Sequence, residues 1–526
     1  MPAMVANIAL ARRKQAQLAQ ARTAKTASIP GPIGGWNARD PLGEMSSTDA
    51  ITLDNWWPLP YDVQVRKGYS THVTGFASQV ESLMTYSSPT ASKLFAASGT
   101  AFYDATTAGA VGAAVVSGLT NSRWESINIS TSGGNFMLCV NGHDKLRGYN
   151  GTAWWTDGDG THDITGVDTA TITNINLFKN RVWLVQGSSL KAWYLPTDSI
   201  AGAAAAFDLQ SIARLGGYLV AMGTWTVDGG YGVDDLAVFI TSKGEVIVYR
   251  GIDPSNAATW ALAGVWAIGS PFTTRCQTKF GGDILLLTYD GIYPLSQALQ
   301  SDRLDPRVAI TNKIYDAIST ATAGYGGNFG WDIDYYAKAN MLIINIPVAT
   351  GSQQIQYCMN TITKAWCSFS GITANCFIIF NDEPYFGGST YVGKFWNTFA
   401  DNSTNITADG KQAFNYFGLR GQTKRFNMVR PTLRTNGSPS TLVALNMDFS
   451  DTAPTGTLSF TPTTYGAWDS AVWDTGVWGG GLNVSNSWQG INGVGYCAAM
   501  RLKVAAMGIE THWASTDFVF EPGAVL

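Results

Sequence analysis

One strand–turn–strand pattern recurs six times between residues 92 and 397, and it limits the possible folds more than any other feature. Each copy is an apolar or aromatic run, a turn that contains glycine, and a second apolar or aromatic run. Glycine adopts positive φ without a Cβ clash, so each turn is predicted to join two strands of a β-hairpin. The copies occupy residues 92–105, 136–151, 181–196, 236–251, 283–296 and, more loosely, 383–397. Their turn glycines are Gly99, Gly142, Gly187, Gly244, Gly291 and Gly388.

The spacing of these glycines indicates a repeat architecture. Successive turn glycines are 43, 45, 57, 47 and 97 residues apart. Because the last spacing is about twice the others, one degenerate copy is predicted near residues 335–347. The blades of a β-propeller have four strands and repeat about every 40 to 50 residues. The spacing therefore predicts a β-propeller of six or seven blades, and a large β-sandwich with irregular hairpins is the alternative.

Composition favours strands and turns over helices along most of the chain. Charged residues make up 14% of the 526 residues, against about 25% in an average soluble domain. We therefore expect a mainly β protein of two or three domains. The predicted divisions are a basic helical arm at 1–30, an extended Gly/Pro-rich segment at 31–80, the propeller at 81–400 and a C-terminal Trp-rich β-domain at 401–526. The segment at 31–80 is expected to contribute to a platform or to propeller closure, and the last domain to the platform.

Two basic segments stand out from a chain whose net charge is -4. The first, rich in helix formers, contains five basic residues and no acid, and it is predicted to dock on an acidic partner, with a frayed basic tail as the alternative: Arg12, Arg13, Lys14, Arg22 and Lys25. The second is predicted at a channel or subunit interface, in contact with DNA phosphates or an acidic neighbour, with a solvated strand as the alternative: Lys411, Arg420, Lys424, Arg425, Arg430 and Arg434. Because the rest of the chain is acidic, general nucleic-acid binding is disfavoured.

Cysteine usage and hydropathy limit the compartment. The six cysteines follow neither a disulfide framework nor a zinc-ligand spacing, which predicts synthesis in a reducing compartment. The N-terminus lacks the apolar core of a signal peptide, and no run approaches the roughly 20 apolar residues of a membrane span. We expect neither a membrane span nor export by a signal peptide.

Candidate polar sites in the repeat region are weak. Residues 157–168 place four aspartates with partial calcium-loop spacing, but His162 stands where the EF-hand loop requires glycine, so a polar loop is favoured over a metal site. A glycosidase needs two carboxylates that face each other across a cleft, and Asp332 with Asp334 or Asp234 with Asp235 could supply such a pair. Any acidic loop contains similar pairs, so they are weak evidence for a glycosidase. No nucleophile, Walker or dinucleotide motif is present, and no cofactor is expected.

Adjacent aromatic residues have two interpretations. Trp154 with Trp155, like Tyr335 with Tyr336, could stack on sugar rings or bases. In an all-β protein adjacent side chains point to opposite faces of a strand, so core packing is the favoured interpretation. Trp56 and Trp57 are expected to be buried.

Motifs at both ends of the chain carry a family resemblance. Residues 34–42 read Gly-Gly-x-Asn-x-Arg-Asp-Pro-Leu, and Asp-Ala, Leu-Asp-Asn-Trp-Trp-Pro and Val-x-x-Arg-Lys-Gly-Tyr follow. Near the other end, residues 468–480 read Trp-Asp-x-x-x-Trp-Asp-x-x-x-Trp-Gly-Gly, and Gly-x-Gly-Tyr, Trp-Ala-Ser-Thr-Asp and Glu-Pro-Gly-x-x-Leu follow. In these motifs the chain resembles the tail nozzle proteins of short-tailed bacteriophages, the tail tubular protein B-like family. The basic N-terminal arm matches nothing expected of that family.

The resemblance implies a structural virion protein without a catalytic site. Six copies would form a ring below the portal adaptor, or head–tail connector protein, and its channel would hold packaged DNA and release it on ejection. Tail fibres or spikes would attach outside, and genomic DNA would pass through the lumen without sequence-specific binding. The protein would be made in the cytoplasm of the host bacterium and reside in the virion tail. Trp468, Trp473 and Trp478 would clamp the C-terminal β-domain.

Two alternatives from other functional classes remain at this stage. A host-surface binding propeller would recognise a glycan or receptor through Trp154 or Trp155. A glycoside hydrolase would need a catalytic signature that this sequence lacks.

Overall fold

The computed structural model describes residues 24–228, 233–299, 306–461 and 481–525, which divide between two compact units. The end unit is built from the chain up to Gly68, from Asn360–Phe369 and from Thr398 onward. The propeller unit comprises Tyr69–Met359 and Ser370–Asn397. The middle of the sequence therefore forms one unit, and segments from both ends together with the internal segment Asn360–Phe369 form the other.

Strands dominate both units, and they are numbered in chain order. The first five are β1 Lys25–Pro30, β2 Gly35–Trp36, β3 Asp49–Asp54, β4 Trp56–Pro58 and β5 Val63–Val65. Strands β6 to β15 are Gly68–Thr74, Val80–Ser87, Ser92–Ser98, Ala101–Asp104, Gly109–Ala110, Ala114–Ser117, Glu125–Thr131, Gly134–Val140, Arg147–Tyr149 and Trp154–Thr156. Strands β16 to β25 are Ile164–Thr165, Ile172–Phe178, Arg181–Gln186, Lys191–Tyr194, Gly202–Ala203, Ala205–Asp208, Leu219–Asp228, Val233–Thr241, Glu245–Gly251 and Trp260–Ala267.

The later elements include the helices. Strands β26 to β35 are Gln277–Phe280, Asp283–Thr288, Gly291–Pro294, Asp332–Tyr336, Met341–Ala349, Gln353–Asn360, Ala365–Phe369, Cys376–Phe380, Glu383–Gly387 and Tyr391–Thr398. Strands β36 to β42 are Ile406–Gln412, Gln422–Thr435, Ser440–Met447, Asn483–Ser485, Gln489–Gly495, Ala498–Ala506 and Thr511–Val525. The α-helices are α1 Leu295–Ala298 and α2 Tyr315–Tyr325, and the 3-10 turns are Thr169–Thr171, Pro306–Val308, Asn312–Ile314 and Ala337–Ala339.

The propeller unit is a series of small antiparallel blades, which confirms the predicted mainly β propeller fold. Six blades are separate sheets: β7-β8-β9-β11, β12-β13-β14-β15, β17-β18-β19-β21, β22-β23-β24-β25, β26-β27-β28 and β33-β34-β35-β6 with β10 added. A further ladder of β29, β30 and β31 follows the fifth sheet, and its first strand contacts β26 and β33. This ladder lies where the degenerate copy was predicted. Strand β6 comes from the start of the unit and completes the last sheet, which closes the ring.

The six predicted hairpins are all present. Their turns contain glycine for two different reasons, positive φ in some and close packing in others. Gly99, Gly142 and Gly244 have φ of +60°, +73° and +81°, as a tight turn requires. Gly187 and Gly388 do not adopt positive φ. A Cβ at Gly187 would lie 2.8 Å from Thr173 Cγ2, so close approach of a neighbouring segment explains this glycine.

Neighbouring blades enclose separate apolar clusters. Trp183 and Phe239, from the third and fourth sheets, are buried in one cluster, and their ring centroids are 5.5 Å apart. Val238 and Leu286 are buried together between the fourth and fifth sheets. Successive side chains of a strand point to opposite faces, so Val238 and Phe239 enter two adjacent clusters, which ties the fourth blade to both neighbours.

The end unit contains two sheets assembled from distant parts of the chain. One has the order β39-β37-β42-β5-β4, with β1 paired to β42 and β40 to β37. The other includes β32-β3-β36-β41-β38, with β2 paired to β3. Trp56 and Trp513 are fully buried in this unit, with ring centroids 5.7 Å apart. Trp57 is 2% exposed and contacts Phe369, so the predicted burial of Trp56 and Trp57 is confirmed.

Some predictions fall outside the described residues, and one is corrected. Arg12, Arg13, Lys14, Arg22, Trp468, Trp473 and Trp478 lie outside them. The predicted helical arm extended to residue 30, but Lys25–Pro30 form β1, which pairs antiparallel with β42 from Lys25 opposite Phe520 to Pro30 opposite Ser515. Ladder hydrogen bonds to β42 outweigh local helix propensity here. Along the described ranges, no helix has the length and apolar character that crossing a membrane requires.

Candidate functional site

A polar cavity of about 310 Å³ lies on the axis of the propeller unit. Every blade contributes to its wall through its first strand, including the β29 ladder. The contributing residues include Leu83, Glu125, Asn176, Met222, Gln277, Asp334 and Cys376. Cavities on a propeller axis with converging polar groups are a default location for a binding site.

Among the described residues, Arg275 is the one basic side chain that lines this cavity, and it links three blades. Its Nε donates to Glu125 Oε1 at 3.0 Å, and its Nη2 donates to Ser82 Oγ at 2.7 Å. It also donates to the backbone oxygens of Glu81 and Trp124, each at 3.3 Å. Burial opposes the charge of Arg275, but Glu125 and Asp332 outweigh that effect and raise its pKa.

Two carboxyl groups of β29 face the same cavity, because residues i and i+2 of a strand share a face. Asp332 accepts hydrogen bonds from the backbone amides of Ile333 and Phe377, each at 3.1 Å. Asp334 Oδ2 is buried and has no hydrogen-bond partner. Burial raises the pKa of both groups, and the charge of Asp332 raises that of Asp334 further. Asp332 and Asp334 thus lie on a strand and not in an acidic loop.

The one cysteine among the described residues that line the cavity is Cys376. Burial raises the pKa of the Cys376 thiol to about 12, so this sulfur is protonated at neutral pH. In the parts of the chain that the structure describes, no group of three or more His, Cys, Asp or Glu side chains is arranged to hold a metal ion. The arrangement can bind and orient a small polar or charged molecule.

The aromatic residues considered for ligand stacking pack within the propeller. Trp154 makes ring contacts with Phe95 and Tyr149, with centroids 5.0 Å and 5.2 Å away. Trp155 is 8% exposed and stacks on His162 at 4.3 Å. Both tryptophans therefore contribute to packing, as the sequence favoured.

The aspartates of residues 157–168 are used in the turns of this loop. Asp157 accepts hydrogen bonds from the Ile164 amide and the Thr169 hydroxyl, and Asp159 accepts from His162. Hydrogen bonds from His162 and Thr161 lower the pKa of Asp159 to about 2. The loop is ordered by its own carboxylates.

Burial corrects the interface prediction for two residues of the second basic segment. The Lys411 ammonium donates to Ser450 O at 2.8 Å and pairs with Asp451 at 3.1 Å, and the residue is 2% exposed. Lys424 is fully buried and donates to the backbone oxygens of Leu419, Gln422 and Tyr496. These side chains complete the end unit and are inaccessible to a partner.

The other basic residues of this segment lie at the surface, and three are paired with acids of the same unit. Arg430 bonds Asp517 at 2.6 Å and stacks over the Trp488 ring at 4.5 Å. Arg434 pairs with Asp62 at 3.4 Å, and Arg420 pairs with Glu44 at 2.5 Å. Arg425 is exposed, and so is Lys25, the one of the five basic residues of the first segment that the structure describes. The acidic neighbour of this segment is thus largely its own chain.

The motifs that carry the family resemblance have structural roles. Asn37 is buried and donates to Asp40 and Asp49, each at 2.8 Å. Arg66 is fully buried and forms a bidentate pair with Asp401 at 2.8 and 2.6 Å. A Cβ at Gly68 would collide with the backbone oxygen of Ala400. These residues join the chain segments from which the end unit is assembled.

Comparison with known proteins adds little to these observations. No family model matches the sequence. No curated protein matches it.

Solved structures resemble the chain only distantly. Raptor of Chaetomium thermophilum has 8% identity and a TM-score of 0.39, over 63% of this chain and 29% of that one. PorZ of Porphyromonas gingivalis has 13% identity and a TM-score of 0.36, over 65% and 42%. The Cps50 (Swd1) β-propeller domain of Myceliophteria thermophila has 13% identity and a TM-score of 0.39, over 63% and 100%. The chain thus spans under half the length of the first two.

Sequence reasoning missed Arg275 and Glu125, which dominate the axial cavity. They are 150 positions apart and belong to no motif. Their positions could have indicated this role. Glu125 starts the first strand of its blade and Arg275 lies just before the first strand of another, and first strands line the axis of a propeller.

Proposed function

We propose that this protein is a structural component of the tail of a short-tailed bacteriophage, where six copies form a nozzle below the portal adaptor. The channel of the ring retains packaged DNA and releases it on ejection. Fibres or spikes attach to the outer surface. No chemical step is assigned to the protein.

One observation carries this proposal. The residues of the resembling N-terminal motifs, including Asn37, Trp56 and Arg66, are buried in the end unit and serve its assembly. The motifs thus support a unit with the two chain ends and a propeller inserted between them. Burial of these residues is compatible with a ring subunit whose end unit is assembled around the propeller's insertion point.

The pairing of basic residues with acids of the same unit supports a channel that binds DNA only weakly. The basic residues Arg420, Arg430 and Arg434 are paired with carboxylates of their own unit. Neutralised cations bind phosphate weakly, because affinity for duplex grows with the number of free Lys and Arg contacts. Duplex could slide past such a surface.

Assembly onto heads tests the proposal. Purified protein should be added to tail-less heads of the phage that encodes it, with portal and adaptor in place, and the particles imaged by negative stain. The expected result is added density at one vertex only, and retention of DNA in heads that otherwise leak. Heads without adaptor are the control and should remain bare. Absence of vertex density on complete heads would refute the proposal.

The glycan-binding alternative keeps no specific support. Trp154 and Trp155, its stacking platform, contact Phe95, Tyr149 and His162 within the propeller. A glycan array that gave saturable binding would restore it.

A further inference from the structure

Two adjoining turns of the end unit expose apolar side chains to solvent. Tyr61, between β4 and β5, is 90% exposed, and Ile362, between β31 and β32, is 66% exposed. The buried Asn360 joins the turns: its amide nitrogen donates to Pro58 O at 2.9 Å, and its side-chain oxygen accepts the Ile362 amide at 3.0 Å. Exposed apolar groups that lie close together, unlike scattered ones, mark interaction sites. The two turns are called the Tyr61 knob below.

An open pocket of about 460 Å³ in the same unit has aromatic walls. Tyr416, Phe449 and Tyr496 line it, and Phe449 is 42% exposed. Phe449 has φ of +65°, a conformation that is strained for a bulky residue. The turn that presents this ring is held by Asp448 Oδ1, which accepts the amides of Tyr496 and Cys497 at 2.7 and 3.2 Å. This feature, called the Phe449 pocket below, is therefore preformed.

The knob and the pocket carry opposite charges. Lys364, in the same turn as Ile362, is exposed and forms no ion pair with the described residues. Asp448 lines the pocket, is exposed, and likewise forms no ion pair within the described part of the chain. Arg420 also lines the pocket, but its charge is paired with Glu44. Lysine on one surface and aspartate on the other favour association in one orientation.

The knob and the pocket lie towards opposite sides of one sheet. The turn that contains Ile362 leads into β32, and Phe449 follows the last residue of β38. Three strands, β3, β36 and β41, separate β32 from β38. Since neighbouring strands are about 4.8 Å apart, β32 and β38 are separated by about 19 Å across the sheet. A contact between knob and pocket therefore fits two copies of the chain better than one.

We propose that the Tyr61 knob of one copy inserts into the Phe449 pocket of the next copy, with Lys364 facing Asp448. A second copy is the occupant because the end unit carries both complementary halves. Each copy gives one knob and receives one, and such head-to-tail contacts close into a ring when the rotation between copies allows it. This inference rests on the proposed ring and names the surfaces that build it.

Two variants of the full-length protein test the contact. Tyr61→Ser removes the knob ring, and Phe449→Asn removes the pocket ring but keeps a residue that tolerates positive φ. Each variant alone should lose ring formation, with the contact weakened at least about 30-fold, because exposed tyrosines that fill a pocket dominate interfaces. Sedimentation velocity of the free protein and negative stain of adaptor-bearing heads measure this loss.

A one-to-one mixture of the two variants should form dimers that do not grow. The intact knob of Phe449→Asn enters the intact pocket of Tyr61→Ser, whereas the reverse contact lacks both rings. The matched control is Tyr218→Ser, at a 47% exposed tyrosine of the propeller unit, and it should form rings like wild type. If Phe449→Asn does not fold, Tyr61→Ser and Lys364→Glu, both at exposed positions, decide alone.

The outcomes separate this contact from the proposed function. Normal rings of Tyr61→Ser beside rings of wild type, or a mixture that stays monomeric or forms complete rings, would overturn the contact and leave the proposed function standing. A wild type that forms no ring, either free or on adaptor-bearing heads, would overturn both.

Discussion

Arg66 connects the chain segments of the end unit through one buried guanidinium group. It donates to Asn55 Oδ1 at 2.7 Å, forms two hydrogen bonds with Asp401, and lies 5.7 Å from the Phe369 ring centroid. Asn55, Phe369 and Asp401 come from three separate stretches of the sequence. A single side chain thereby holds together what the inserted propeller separates.

Arg66→Met should destabilise the end unit by about 3 to 5 kcal/mol, because Asp401 is left as a buried charge without its partner. Urea unfolding followed by tryptophan fluorescence measures the change. Arg420→Met, which removes a fully exposed ion pair, is the control and should have no measurable effect. Similar losses in the two variants would contradict this role for Arg66.

His512 should make the stability of the end unit depend on pH. Its Nε2 is 2.9 Å from Glu510 Oε1, within hydrogen-bonding distance, and its Nδ1 is 3.1 Å from Asp62 Oδ2, so the protonated ring lies between two carboxylates. Burial opposes the charge, but the contacts with Asp62 and Glu510 raise the pKa of His512. Arg434 also faces Asp62, and Gln64 donates to Glu510.

The pKa of His512 is higher in the folded unit than the unfolded value of about 6.5. The stabilisation that protonated His512 gives is therefore complete below about pH 6.5, and it is lost as the pH rises through the folded pKa. The unfolding free energy of wild type minus that of His512→Gln should therefore be larger in mildly acidic than in alkaline buffer. His143→Gln, at an exposed histidine, should give no such trend. A difference independent of pH would show that His512 is not charged in the folded unit.

At the scale of elements, β1 divides the N-terminal segment into a part that contributes to folding and a part that is predicted to dock on the adaptor. It forms six consecutive pairs with β42, so residues 25–30 belong to the fold. Deleting residues 1–23 should leave the melting temperature unchanged but prevent docking to the adaptor, because it removes four of the five predicted docking cations. Deleting residues 1–30 should also lower the melting temperature. Circular dichroism and a pull-down on adaptor-bearing heads measure both, and normal docking without residues 1–23 would refute the assigned role.

Hairpins were predictable from the sequence because they are local. A glycine turn between two apolar runs specifies its own pairing within about 15 residues, and the period of these turns reveals the propeller. The doubled spacing between Gly291 and Gly388 also predicted the degenerate copy, and β29 and β30 lie within that interval.

Long-range partners were not predictable. The basic residues between positions 411 and 434 appeared unpaired because their acids lie elsewhere in the sequence: Arg434 meets Asp62 at a separation of 372 residues, and Arg420 meets Glu44 at 376. Lys424 appeared to be a surface charge because strands normally expose lysine, yet three backbone oxygens satisfy it. The axial cavity could not be predicted for the same reason, because its lining residues come from every blade and form no motif in the sequence.

At the scale of the whole molecule, Arg425 of β37 is the residue of the second basic segment best placed to report on assembly. It is exposed, whereas Lys411 of β36 and Lys424 of β37 are buried. Arg425→Glu should weaken ring formation or DNA retention several-fold without changing monomer stability, because a reversed charge disturbs an interface more than a solvated strand. Lys243→Glu, at an exposed turn of the propeller, is the matched control. Normal assembly of Arg425→Glu would place the interface elsewhere.

Stoichiometry tests the central claim most directly. The protein should be bound to adaptor-bearing heads, and its copy number and symmetry determined by cryo-electron microscopy of the vertex, with light scattering of the free protein in parallel. The account predicts a sixfold ring around a central channel, with a mass six times the 56.4 kDa protomer wherever the ring forms free in solution. A protein that stays monomeric in solution and leaves the vertex unoccupied would contradict it.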